Sequence, residues 1–138
     1  IDGESEAIAR LQSRRDLDHH RLDIQLERFE SLTLPDRVDL INASFCLPFC
    51  SPPDFPALWQ KIVAALRVGG RFSGQLFGDR DSWASYANLT HHTGAQVNGL
   101  LHPFVVEYFE EEEHPGTTAL GEEKYWHIFQ IVARKRKF

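Results

Sequence analysis

A strand, a helix and a second strand follow one another in the middle of the chain, and this order constrains the fold more than any other feature. The run from Val38 to Phe45 is mostly apolar, has the length of a strand and is bounded by turn residues, as expected for a strand buried on both faces of a parallel sheet. The cluster from Ser51 to Asp54 is typical of a helix start, and apolar residues then recur at helical spacing as far as Leu66. Arg71 to Phe77 has the pattern of another strand, so the segment predicts an α/β fold.

The same alternation of strand and helix is predicted before this unit. Ile1-Asp2-Gly3 reads as the end of a strand, and apolar residues at three-and-four spacing predict a helix from Ser5 to about Arg15. Alternating apolar and polar residues from Leu22 to Glu27 predict a short strand with one polar face. Gly69-Gly70 follows the central helix, and the pair is expected to end that helix in the left-handed conformation.

The last third of the chain predicts a different connection. Thr93 and Gln96 have the spacing of a capping box, which indicates a short helix that stops before Pro103. Phe104 to Glu110 and Tyr125 to Ala133 are rich in aromatic and β-branched residues, and no helix separates them. These two strands should therefore pair antiparallel. The whole order predicts a Rossmann-like, mostly parallel sheet with helices on both faces and a C-terminal antiparallel β-hairpin.

Charge and composition argue against several classes of function. Fifteen basic and twenty acidic residues leave a net charge of −5, which repels polyphosphate and disfavours a nucleic-acid partner. No apolar stretch is long enough to cross a bilayer, and the first residues are not a basic start followed by an apolar run, so we expect a cytoplasmic protein without a membrane partner. Cys46 and Cys50 are too few for a disulfide framework and lack a second ligand pair for zinc.

The chain contains no methionine. Its first residues, Ile1 to Gly3, look like the end of a strand that has already started. We therefore expect residues 1–138 to form a single, incomplete domain from the C-terminal portion of a longer polypeptide.

Three segments resemble the class I S-adenosylmethionine-dependent methyltransferases. Ile1 to Ile8 looks like the end of that family's second strand and the helix after it, Val38 to Ser44 looks like its fourth strand, and Leu66 to Phe72 looks like the glycine turn that opens its fifth. The resemblance implies an antiparallel seventh strand and S-adenosylmethionine as cofactor, bound at the carboxyl ends of the strands. It also implies methyl transfer to a small-molecule acceptor. The family's first strand and its glycine-rich loop are missing from this sequence.

The resemblance assigns the ribose of the cofactor to Asp2, with Gly3 beside it. A carboxylate at a strand end can accept hydrogen bonds from both ribose hydroxyls. The alternative is that Asp2 stabilises the start of the following helix through the helix dipole, or that Glu4 takes that place.

Two further groups of cofactor-binding residues follow from the resemblance. Arg28 and Phe29 would lie at the adenine, although Phe29 could instead fill the core. Asn42, Ala43 and Ser44 end the predicted fourth strand, where small residues would let the backbone approach the sulfonium. Small residues at a strand end are also common without a function.

Candidate residues on the substrate side lie in the loops that line the acceptor pocket in the family. They are Phe49, Asp79, Trp83 and His91, and each of them could also be an ordinary solvated loop residue. Methyl transfer from a sulfonium needs mainly alignment and desolvation, so the sequence assigns no catalytic residue. No metal site is predicted, because adjacent residues such as His91 and His92 seldom face one ion.

Two other functions remain open. A nicotinamide-dependent dehydrogenase also holds a ribose with an acidic residue after its second strand, but the terminal hairpin and the lack of a hydride-relay pair weigh against it. The second is a methyltransferase-like module that binds partners and does not catalyse; only the missing upstream glycine loop, intact or degraded, can distinguish it from the enzyme. Without the first strand the sheet would have an unpaired edge at its centre, which could recruit a neighbouring chain and form an oligomer.

Overall fold

The computed structural model describes residues 1–137, in two compact units of which the second begins at Leu34. The first unit, residues 1–33, contains helix α1 (Ser5–Gln12) and one turn of 3-10 helix (His19–Arg21). A parallel bridge joins Asp2 to Leu26. This unit therefore supplies a helix and a minimal strand pair.

Two elements of the first unit are shorter than the sequence predicts. Helix α1 ends at Gln12 rather than near Arg15; the Ser13 hydroxyl donates to the Arg10 carbonyl (2.8 Å), a bond that competes with continuation of the helix. Of the strand predicted from Leu22 to Glu27, a single bridge is formed. Alternation of polar and apolar residues specifies the faces of a strand but does not supply the partner that a strand needs.

The second unit contains a mixed five-stranded sheet. Its strands are β1 (Val38–Ala43), β2 (Leu66–Gly78), β3 (His91–His92), β4 (Phe104–Thr117) and β5 (Glu123–Lys135), and its helices are α2 (Phe55–Ala65) and α3 (Gly94–Leu100). The order across the sheet is β1-β2-β5-β4, and β3 pairs with the end of β2. The predicted strand–helix–strand unit and the predicted hairpin are both confirmed.

The sheet is mixed rather than mostly parallel. β1 and β2 form the one extended parallel pair, and β3 adds a two-residue parallel pairing to β2. β5 runs antiparallel to both of its neighbours, β2 and β4. Because β4 and β5 are 14 and 13 residues long, the antiparallel ladders outweigh the parallel ones in this unit.

Helix α2 packs on one face of the sheet through Trp59. The Trp59 ring lies 5.0 Å from the ring of Phe72 on β2 and 6.0 Å from that of Phe104 on β4, measured between centroids. Its indole N–H donates to the carbonyl of Leu100 in α3 (3.1 Å). The buried face of α2 thus joins both strands and the second helix in one core.

Helix α3 begins at the capping box that the sequence predicts. The Thr93 hydroxyl accepts from the Gln96 backbone N–H (3.2 Å), and the Gln96 side chain accepts from the Thr93 N–H (2.8 Å). The helix ends at Leu100, before Pro103. Both predicted limits of the helix are confirmed, because both depend on residues close to one another in sequence.

The role predicted for Gly69-Gly70 is wrong. Helix α2 already ends at Ala65, and Leu66, in extended conformation, begins β2. Gly69 does have a positive φ of 81°, but it lies in a bulge of β2, between the residues that face Val38 and Leu40 of β1. A Cβ on Gly70 would lie 2.9 Å from the Val38 carbonyl oxygen. The glycine pair therefore allows β2 to bulge against β1 and does not stop the helix.

Strand β1 lies at one end of the strand order, and among the described residues only β2 pairs with it. The prediction that this strand is buried on both faces is wrong: Ala43 is its one buried residue, and Leu40 is exposed at 59%. No helix within residues 1–137 is long and apolar enough to cross a membrane.

Candidate functional site

In the first unit, the backbone of Asp2 lies against the segment that ends at Arg28. The Asp2 N–H donates to the Gln25 carbonyl (3.1 Å), and the Glu27 N–H donates to the Asp2 carbonyl (2.9 Å). The exposed Asp2 carboxylate accepts the Glu4 N–H through Oδ1 (2.8 Å). The same carboxylate that the sequence assigns to a ribose therefore also stabilises the turn before α1.

The neighbouring candidates follow from this pairing. A Cβ on Gly3 would lie 3.6 Å from the Glu27 carbonyl oxygen and 3.8 Å from Cγ of Arg28, which is ordinary contact. Gly3 is thus close to Arg28, and its backbone does not require glycine. Phe29 follows and is half-buried. The four cofactor candidates of this unit lie on two adjacent segments.

In the second unit, Asn42, Ala43 and Ser44 lie where β1 ends. Ala43 is buried, whereas Asn42 and Ser44 are exposed. A Cβ on Gly74 of β2 would lie 2.7 Å from the Ala43 carbonyl oxygen, so glycine is needed for this close approach. Phe45 then adopts a φ of 48°, and its N–H donates to the Gln75 side chain (2.9 Å). The chain therefore turns sharply at the carboxyl end of β1.

The loops after β1 and β2 bring aromatic side chains together. Phe49, in the 3-10 turn Leu47–Phe49, lies 6.3 Å from Trp83, in the 3-10 turn Ser82–Ser85. Trp83 in turn lies 6.4 Å from Tyr86 and 6.1 Å from Trp126 of β5. The carboxyl ends of adjacent parallel strands are where open α/β sheets bind ligands. Two predicted substrate residues, Phe49 and Trp83, thus share one cluster at this edge.

A buried ion pair between Lys124 and Asp81 lies next to these rings. The Asp81 carboxylate also accepts the backbone N–H of Trp83 (2.9 Å) and that of His127 (3.1 Å). The Lys124 ammonium lies 4.3 Å from the ring centroids of Trp83 and Trp126 and 5.0 Å from that of Phe77. Neither side chain of the ion pair has exposed surface. The pair therefore ties β5 to the loop that carries Trp83.

Burial and the surrounding polar groups shift the pKa of both members of this pair. Burial acts to raise the pKa of Asp81, but contacts with His91, Lys124 and two backbone N–H groups outweigh it and lower the pKa to about 2. Burial lowers the pKa of Lys124, and the Asp81 carboxylate opposes that effect. His91 Nε2 lies 3.8 Å from Asp81 Oδ1, which is an electrostatic contact rather than a hydrogen bond.

A second polar network surrounds the buried His127. Its Nδ1 accepts the Arg80 backbone N–H (3.1 Å), so Nε2 carries the proton and donates to Glu111 (2.7 Å). The side chains of Glu111, Glu113 and His127 lie close enough together to hold a cation. The Arg80 guanidinium donates to both carboxylates, at 2.9 and 2.7 Å, and its pKa is raised, chiefly by Glu113. The positive charge of this cluster thus comes from Arg80.

The remaining predicted substrate residues, Asp79 and His91, lie close to the carboxyl end of β2. Asp79 is exposed directly after β2, and its N–H donates to the His92 carbonyl (3.0 Å). His91 lies in β3, with its ring 5.8 Å from that of Phe77. Sequence reasoning missed Lys124 and His127 as organisers of this edge. The sequence feature that could have identified them is their position on either side of two aromatic residues at the start of β5.

The comparisons with known proteins identify the fold. No protein-family model matches the chain, and no curated protein matches it in sequence. The solved structure of TehB from Haemophilus influenzae superposes with a TM-score of 0.78 over 97% of the chain, at 15% identity. The chain spans about half of TehB, 48% of its length.

Two further solved structures have the same fold as this chain. A SAM-dependent methyltransferase from Methanosarcina mazei matches with a TM-score of 0.71 at 18% identity, covering 100% of this chain and 81% of its own. The N-methyltransferase NodS from Bradyrhizobium japonicum matches with a TM-score of 0.70 at 15% identity, covering 99% of this chain and 72% of its own. NodS has also been solved with S-adenosyl-L-homocysteine. The resemblance seen in the sequence is therefore confirmed at the level of the fold.

Proposed function

We propose that this chain, which has the class I methyltransferase fold, carries part of the site of an S-adenosylmethionine-dependent methyltransferase that acts on a small molecule. The observation that carries the proposal is the strand order β1-β2-β5-β4 with β5 reversed, together with the match to the structures of TehB and of two methyltransferases over nearly the whole chain. The proposal extends from fold to activity, so it depends on a test of cofactor binding.

The first unit offers suitable chemistry for the nucleoside part of the cofactor. One oxygen of the exposed Asp2 carboxylate accepts a backbone N–H, and a carboxylate has about four acceptor positions, so capacity remains for two ribose hydroxyls. Gly3 would lie beside Asp2 at the ribose, and Arg28 and the half-buried ring of Phe29 would lie toward the adenine. These residues fit the group that the fold implies.

In the second unit, Asn42, Ala43 and Ser44 would border the sulfonium end of the cofactor. S-adenosylmethionine, when bound, supplies an electrophilic methyl group. The chain's own task is to align the acceptor and to exclude water from it. Phe49 and Trp83 offer apolar surface for this task, and the exposed Asp79 offers a carboxylate that could accept a proton.

Titration calorimetry with S-adenosyl-L-homocysteine tests the proposal in the intact protein. Asp2→Ala should weaken binding by about 1.5–3 kcal/mol, the range for a lost hydrogen bond to a charged group. Asp36→Ala, at another exposed carboxylate, is the control and should leave the affinity unchanged. Glu4→Ala tests the competing ribose ligand.

Two results would count against the proposal, and a third would reassign the role of one residue. Absence of S-adenosyl-L-homocysteine binding would remove its basis. An unchanged affinity in Asp2→Ala with a loss in Glu4→Ala would move the ribose role to Glu4. Consumption of reduced nicotinamide in place of methyl transfer would favour the dehydrogenase alternative.

A further inference from the structure

Three aromatic side chains form a partly exposed surface at the carboxyl ends of β1 and β2. Phe49 and Tyr86 are 51% and 53% exposed, and Trp83 lies between them, with ring centroids 6.3 and 6.4 Å away. We call Phe49, Trp83 and Tyr86 the aromatic surface. Large exposed rings that are grouped at a ligand-binding edge mark a recognition site more often than scattered ones do.

Buried polar contacts fix the two loops that carry the aromatic surface. Asp81 caps the turn that holds Trp83, and Asp81 is itself held by Lys124 and the His127 N–H. On the other loop, the Thr90 hydroxyl donates to the carbonyl of Cys50, next to Phe49 (2.6 Å). These contacts restrict the motion of the loops, so less conformational entropy of the loops is lost when a ligand packs against the rings.

Lys124 gives the aromatic surface an electrostatic preference. Its ammonium lies 4.3 Å from the Trp83 ring centroid and has no exposed surface, so the part of the ring that reaches solvent is not the part over the ammonium. This ammonium is paired with Asp81, so its effect on a ligand is local: it already occupies one face of the Trp83 ring and leaves less of that ring for a contact with a second cation. The aromatic surface should therefore bind neutral rings by stacking more tightly than it binds cations.

We propose that the aromatic surface is the acceptor subsite and that the acceptor is an uncharged, planar aromatic compound. This inference rests on the proposed function, since it names the substrate class for that reaction. A planar ring matches the aromatic side chains by offset or edge-to-face stacking, whereas a saturated ring of similar size offers only apolar area.

The test uses three probes of similar size: naphthol, decahydronaphthol and the trimethylnaphthylammonium cation. Binding to the intact protein is followed by the ¹⁵N–¹H signal of the Trp83 indole, assigned with Trp83→Phe. Naphthol should bind about tenfold more tightly than decahydronaphthol, and more tightly than the cation. Phe49→Ala and Tyr86→Ala should each weaken naphthol binding about fivefold.

The control is Tyr108→Ala, because Tyr108 lies on β4 and is 50% exposed, close to the exposure of Tyr86. It should leave the naphthol affinity unchanged. Equal binding of naphthol and decahydronaphthol, preference for the cation, or an equal loss in Tyr108→Ala would overturn the inference. Because S-adenosyl-L-homocysteine binding is measured separately, such a failure leaves the proposed function standing. Selective naphthol binding without S-adenosyl-L-homocysteine binding refutes the proposed function and, with it, the role of the aromatic surface as an acceptor subsite.

Discussion

Replacing Gly78 with alanine should be among the most damaging single-methyl changes in the second unit. Gly78 is the last residue of β2, and a Cβ there would lie 1.9 Å from Nδ1 and 2.1 Å from Cε1 of His127. The His127 ring is fully buried and is held by the Arg80 N–H and by Glu111. The ring therefore has to leave its position before the new methyl group can fit.

The cost follows from two effects. Overpacking a well-packed site costs about 1–3 kcal/mol. Moving the ring also breaks the bond from the Arg80 N–H, and leaving a polar group buried without its partner costs about 1–3 kcal/mol. We expect Gly78→Ala to lower the free energy of unfolding by about 3 kcal/mol. Gly94→Ala is the matched control, because no atom lies within 4 Å of a Cβ at this first residue of α3. It should be neutral or stabilise by about 0.4–1 kcal/mol.

Urea denaturation followed by tryptophan fluorescence measures both variants. A double-mutant cycle isolates the cause. In a His127→Ala background, Gly78→Ala should lower the free energy of unfolding very little, because the ring that clashes with the new methyl group is absent. A loss below about 1 kcal/mol for Gly78→Ala, or the same loss with and without the His127 ring, would refute the reasoning.

Two further predictions concern buried charge. Asp81→Asn leaves the Lys124 ammonium buried without its counter-ion and should cost about 3–5 kcal/mol in urea denaturation; a cost below about 1 kcal/mol would show that water reaches Lys124. Burial, with a smaller repulsion from His91, lowers the pKa of His92 to about 4 from 6.5. The unfolded chain then binds a proton at His92 more readily than the folded chain does. The free energy of unfolding is therefore unaffected by His92 above about pH 6.5 and decreases toward pH 4, by up to about 3 kcal/mol. An unfolding free energy with the same pH dependence in His92→Asn contradicts this prediction.

The sequence alone determines the elements whose causes are local. The limits of α3 were predicted because Thr93 and Gln96 are three residues apart and form their capping box without help from the rest of the chain. Helix α2 was predicted for a similar reason, since hydrophobic periodicity specifies which face of a helix will be buried. The apolar run from Val38 to Phe45 predicted the strand β1 but not its burial, because burial depends on which elements cover the strand. The hairpin followed from the lack of a crossover helix between β4 and β5.

Only the tertiary structure decides which distant residues meet. Gly69-Gly70 has the local signature of a helix stop, yet its place is set by how β2 bulges against β1. The contacts of Asp81 with Lys124 and of Gly78 with His127 join residues more than forty positions apart. Their pairing depends on the register between β2 and β5, which is fixed by the packing of whole strands and not by any short segment. For that physical reason the sequence indicates the edge of the sheet where chemistry is expected, and the fold determines which side chains are assembled there.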